Sequence, residues 1–104
     1  MLYVLLAEHT ADICPMANAK TREAVRNSSP EIPHLAQRNG VKILAGPFVS
    51  NEHLSTVVVE AEKGESLHRF IMESGLAQWN KVRVVPSQTM EEGLKEVERM
   101  KPIF

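Results

Sequence analysis

At 104 residues, with 43% apolar and 24% charged side chains, the chain is long enough for one domain with a single modest core. Twelve basic against 13 acidic residues leave a formal net charge of −1, so no basic excess exists to neutralise phosphates and electrostatically driven nucleic-acid binding is disfavoured. A single cysteine leaves no internal disulfide, and the opening "MLYVLLA" is too short for a membrane span and lacks a basic leader; the expectation is a cytoplasmic protein with no membrane partner.

In chain order, "LYVLLA" (2–7) is a short apolar run bounded by polar residues, and predicts a first strand. Proline at a first helical position sacrifices no hydrogen bond, so a helix is expected from Pro15 through "PMANAKTREAVRN". The Ser28-Ser29-Pro30 stretch interrupts it. A second helical piece restarts there, with Ser29 as N-cap, Pro30 at the first position and Gly40 as the stop. "VKILAGPFV" (41–49) predicts a second strand, with Gly46-Pro47 marking a bulge or an edge position. "SNEH" turns into the third strand, "LSTVVVEA". Leu67, Phe70, Ile71 and Ser74 then recur at helical spacing between Gly64 and Gly75. "KVRVV" is the fourth strand, ended by Pro86. "SQTMEEGLKEVERM" is a last helix, with Thr89 and Glu92 as a capping box and Met90, Leu94 and Val97 on one face.

The order is β-α-β-β-α-β plus a C-terminal helix: an α+β, ferredoxin-like arrangement forming one domain over residues 1–104. Two helices cover only one face of a four-stranded sheet, and the other face should then alternate apolar with polar. Instead "LYVLLA" and "TVVVEA" are continuously apolar, so something must cover the second face. A partner subunit packing sheet against sheet, with Pro102-Ile103-Phe104 reaching across, gives an isologous homodimer. The alternative is the last helix folding over its own sheet, which one short helix can cover only in part.

The opening "MLYVLLAE", the "PHL" around His34, "LAGPF" and "VVVEAE" resemble the YCII-like members of the dimeric α/β-barrel superfamily. Pro15 to Arg22 and the ending "WNKVRVVPSQTMEEGL" look more like a sibling family of uncharacterised function. The resemblance implies two ferredoxin-like subunits whose sheets close into an α/β barrel around small-molecule cavities. Members range from isomerases and monooxygenases to ligand-sensing domains, so the fold alone does not assign a reaction. His34 matches the histidine of the histidine–aspartate pair suspected in YCII-like proteins. The stretch after "LAGPF" reads "VSNEH", without an aspartate.

In this topology strand one lies between strands three and four and runs antiparallel to both. Glu8 and His9 at the end of strand one should therefore meet His53 at the start of strand three and Trp79-Asn80 before strand four. Cys14 opens the first helix at the same edge, and Cys14, Asn18 and Arg22 follow at i, i+4, i+8 as one polar stripe. Two imidazoles, a thiolate and a carboxylate (His9, His53, Cys14 and Glu8) are an acceptable ligand set for zinc or another first-row metal. A helix N-terminus would favour the Cys14 thiolate. Asn18 and Arg22 are candidates for holding a small ligand, Arg22 gripping a carboxylate or phosphate, with Trp79 as an apolar wall. The plainer readings are that His9 and His53 are exposed loop residues, Cys14 a small buried hydrophobe, and Arg22 a solvated partner of Glu23 or Glu92.

Two functions follow. One is a small enzyme acting on an organic molecule in the barrel cavity, with His9, His34 or His53 as general acid–base groups. The other is a metal- or ligand-binding module without catalysis. The sequence identifies no particular cofactor. An RNA-binding domain of the same topology would need base-stacking aromatics on strands one and three, and strand three has none.

Overall fold

A computed structural model describes residues 1–104. Strand β1 spans Leu2–Glu8 and is followed by a 3-10 turn, Ala11–Ile13. Helices α1 (Ala19–Ser28) and α2 (Ile32–Arg38) come next, joined by a second 3-10 turn. Strands β2 (Val41–Val49) and β3 (Leu54–Ala61) precede α3 (Gly64–Glu73), the one-turn α4 (Leu76–Trp79), β4 (Lys81–Ser87) and α5 (Met90–Arg99). The sheet order is β2-β3-β1-β4, every neighbouring pair antiparallel, with β2 and β4 as open edges. This α+β arrangement is compatible with a ferredoxin-like fold.

Strand residues alternate between faces, and the register shows which face holds the core. Tyr3, Leu5 and Ala7 stand beside Val59, Val57 and Ser55 on β3, and Leu5, Val59, Leu67, Phe70 and Ile71 form the buried centre beneath the helices. The apolar stripe of α3 supplies three of these residues, each worth about 1.5–3 kcal/mol of burial. Edge strand β2 slips register twice around Gly46-Pro47, as the Gly-Pro pair suggested.

Several boundaries differ from expectation. The first helix begins at Ala19, not Pro15, because Asn18 is the N-cap: its Oδ1 accepts from the Thr21 amide at 3.0 Å. Cys14 to Ala17 form a turn instead, in which the Cys14 carbonyl accepts from the amides of Ala17 and Asn18. The stripe Cys14–Asn18–Arg22 is therefore not a helical stripe, and Cys14 is not at a helix N-terminus. Ser29 does not cap the second piece; its hydroxyl donates back to the Val25 carbonyl at 2.7 Å. Pro86 lies inside β4, where an edge strand tolerates a missing amide. The capping box of α5 forms as expected, with Thr89 Oγ1 accepting from the Glu92 amide and donating to the Glu92 carboxylate.

The second sheet face carries Val4, Leu6, Val58 and Val85, all only partly buried. Helix α5 does not cover it: no residue of α5 is buried, and Met90, Leu94 and Val97 are exposed. The radius of gyration is 16.1 Å, against about 13 Å for a compact chain of this length.

Candidate functional site

The antiparallel register of β1 with β3 and β4 stacks Ala7, Ser55 and Val82 in one row across the sheet. Two residues beyond that row, in the direction of the same edge, stand His9, His53 and Asn80. The β period returns their side chains towards the face that also carries the core. His9 is tied to this edge by its amide, which donates to the His53 carbonyl at 3.1 Å. His53 itself closes the β2–β3 turn with φ 62°, a left-handed conformation uncommon outside glycine but one that histidine adopts more often than most residues.

The 3-10 turn after β1 then brings Cys14 back over this edge, buried at 5% exposure. A ligating atom from each of His9, Cys14 and His53 lies within 4.8 Å of the other two. Tetrahedral zinc bound through nitrogen and sulfur places its donors about 3.4–3.7 Å apart, so a modest inward movement completes the set. The two rings meet edge-on, with centroids 5.3 Å apart.

Hydrogen bonding assigns the nitrogens. Asn80 Nδ2 donates to the Leu76 carbonyl at 3.1 Å, which turns Asn80 Oδ1 towards His9 Nδ1 at 3.0 Å. In the neutral ring, His9 Nδ1 is then the protonated donor and the lone pair falls on Nε2. That Nε2, together with His53 Nδ1, is sealed from solvent and has no hydrogen-bond partner. Buried polar nitrogens are nearly always satisfied, and two orphans in one cluster need an explanation.

Each remaining candidate has a definite place. Glu8 is exposed on β1, opposite Lys81 and Leu54, and its carboxylate is not part of the three-residue group. His34 is exposed on α2, also outside the group. Asn18 caps α1 and donates to the Asp12 carbonyl. Arg22 spends its guanidinium on two backbone carbonyls, Nε to Pro15 and Nη2 to Met16, both at 2.9 Å. Asn18 and Arg22 thus brace the turn that carries Cys14. Asp12, on the same turn, has its carboxyl held below the usual range by a hydrogen bond from Thr10 and by backbone amides.

Trp79 packs on His9 with ring centroids 5.0 Å apart and also lines a cavity of about 240 Å³. That cavity lies between helices and sheet, walled by Leu5, Ile43, Val57 and Phe70 with no charged residue. Sequence reasoning missed Asn80 as the residue that fixes the His9 tautomer; its place directly after Trp79 at the start of β4 was the available signal.

The chain matches no protein-family model and no curated relative. The fold and the cluster therefore define the class only coarsely: a small α+β protein with a four-stranded antiparallel sheet, carrying two imidazoles and a thiol at one sheet edge.

Proposed function

We propose that this chain is a transition-metal-binding protein whose site is His9 Nε2, Cys14 Sγ and His53 Nδ1. The observation that carries the reading is the pair of sealed, unpartnered imidazole nitrogens beside a buried thiol. A metal ion satisfies all three donors at once, and Asn80 supplies the outer hydrogen bond that ligating histidines typically make. Neutral imidazole is the binding form, and the thiol yields its proton to solvent as the ion enters.

The test is elemental analysis of apo-protein exposed anaerobically, under reductant, to a mixture of first-row ions and then desalted. About one ion per chain is expected, whatever its identity, with loss in Cys14→Ser and in His9→Ala/His53→Ala. Metal-free wild-type protein, or retention in both variants, overturns the reading. Circular dichroism of each variant separates lost ligands from lost folding.

We also infer that the protein works as a homodimer, paired through the face carrying Val4, Leu6, Val58 and Val85. The chain exposes 7724 Å², whereas a monomer of its mass exposes about 5,800 Å². The excess, about 1,900 Å², is of the size an obligate dimer buries per subunit. The apolar side of α5 adds Met90, Leu94 and Val97 to the surface awaiting cover. Sedimentation at micromolar concentration should give twice the chain mass, and Val58→Lys should halve it; a wild-type monomer refutes the pairing.

A further inference from the structure

We propose that the ion at this site is monovalent copper, Cu(I), held by three ligands, so that the protein is a carrier or sensor of that ion. The inference rests on the metal-binding reading and adds the identity of the metal to it.

Charge is the first argument. The donor set is one thiolate and two neutral imidazoles, and carries a single negative charge. No carboxylate belongs to the group, and Glu8 is exposed. Cu(I) brings the site to neutrality. Zn(II) leaves one uncompensated positive charge among buried atoms, which is costly where water cannot solvate it.

Coordination number is the second. Zinc is almost always four-coordinate in proteins, and a site with three protein ligands completes itself with water. Here both ligating nitrogens are closed to solvent and Cys14 is buried, so the fourth position lacks a ready source. Cu(I) has no such need: it is satisfied by two or three soft or borderline donors, and a thiolate suits it as well as it suits zinc.

The third argument is the wall. Trp79 packs at a tilt on His9, ring centroids 5.0 Å apart, and gives the imidazole an apolar cover that helps keep the donors dry. Trp79 is also the only tryptophan in the chain, which makes its emission a direct report of occupancy.

The experiment loads apo-protein with Zn(II), then adds one equivalent of Cu(I) as its acetonitrile complex, anaerobically and with Zn(II) in excess. The expected result is full replacement of zinc by copper, quenching of Trp79 emission, and an X-ray absorption spectrum of three-coordinate copper with one sulfur and two nitrogen donors. Retention of Zn(II), or a four-coordinate copper with an oxygen donor, overturns the Cu(I) assignment and leaves the metal-binding reading standing. Failure of both ions to bind removes both.

Discussion

Asn80 and His9 are 71 positions apart in the chain, yet Asn80 Oδ1 lies 3.0 Å from His9 Nδ1 and decides which imidazole nitrogen is free. The amide can do this because its own nitrogen is anchored on the Leu76 carbonyl. Asn80, outside the proposed ligand set, thereby sets the hydrogen bonding of a residue inside it. Asn80→Ala should weaken metal binding about 10–100-fold, the usual effect of deleting an outer hydrogen bond to a ligating histidine. Asn80→Asp, which keeps the acceptor, should restore most of it. Equal loss in both variants, measured by competition with a chromophoric chelator, would show that Asn80 acts only through packing.

Arg22 was a candidate for gripping a ligand, and the structure gives its guanidinium to the carbonyls of Pro15 and Met16. Those two bonds hold the turn that follows Cys14. Arg22→Met should cost about 1 kcal/mol of stability and weaken metal binding by a similar factor, while leaving the number of ions bound unchanged. Thermal melts of the apo and loaded forms separate the two effects. A variant with unaltered affinity would mean that the turn holds without the clamp.

The strands were largely legible and the braces of the site were not, for a physical reason. A strand declares itself through local periodicity, and "LSTVVVEA" gave its two ends as Leu54 and Ala61, where they are. Fixing the strands and their order also placed His9 and His53 at one edge, since antiparallel pairing dictates which ends meet. The start of α1 was read at Pro15, whereas Asn18 caps it and Ala19 is its first residue. Proline at a first helical position is a good local signal, but Cys14 to Ala17 close a turn of their own on the Cys14 carbonyl and the helix begins only after it. The backbone partners of Arg22 were hidden for the same reason: in sequence, an exposed guanidinium that bonds to carbonyls looks the same as one free for an anion.

Gly46 sits at φ 88°, and a Cβ there would lie 2.8 Å from the Thr56 carbonyl oxygen and 3.0 Å from the Phe48 amide nitrogen. Both obstacles are backbone and cannot swing aside. Gly46→Ala should therefore destabilise the fold by about 2–3 kcal/mol, seen as a lower denaturant midpoint with an unchanged slope. Gly40, also at positive φ but with open space around it, should pay only the conformational part when changed to alanine. Equal losses at the two positions would mean that crowding against Thr56 is relieved by movement of β2.

Glu73 ties α3 to the end of α2. Its carboxylate accepts from Asn39 Nδ2 and from Arg38 Nη2, both at 2.6 Å. The Asn39 hydrogen bond, with help from the Arg38 charge, holds the Glu73 carboxyl below its ordinary range. A depressed folded-state value means stability that is fully present above the unfolded value, about pH 4.3, and is lost as pH falls through the folded one. The stability gap between wild type and Glu73→Gln should thus be constant near neutrality and narrow below about pH 4.3. Parallel curves down to the acid transition would contradict the assignment.

Position 53 sets folding and function against each other. A left-handed φ of 62° suits glycine best; histidine is found there more often than most side chains, but still bears a cost of up to about 1–2 kcal/mol relative to glycine. His53→Gly should accordingly raise the melting temperature of the metal-free chain while removing one of the three proposed donors. A lineage drifting under selection for stability alone would discard this histidine early. The presence of histidine at this turn in a related chain would therefore report whether the proposed metal site is kept there.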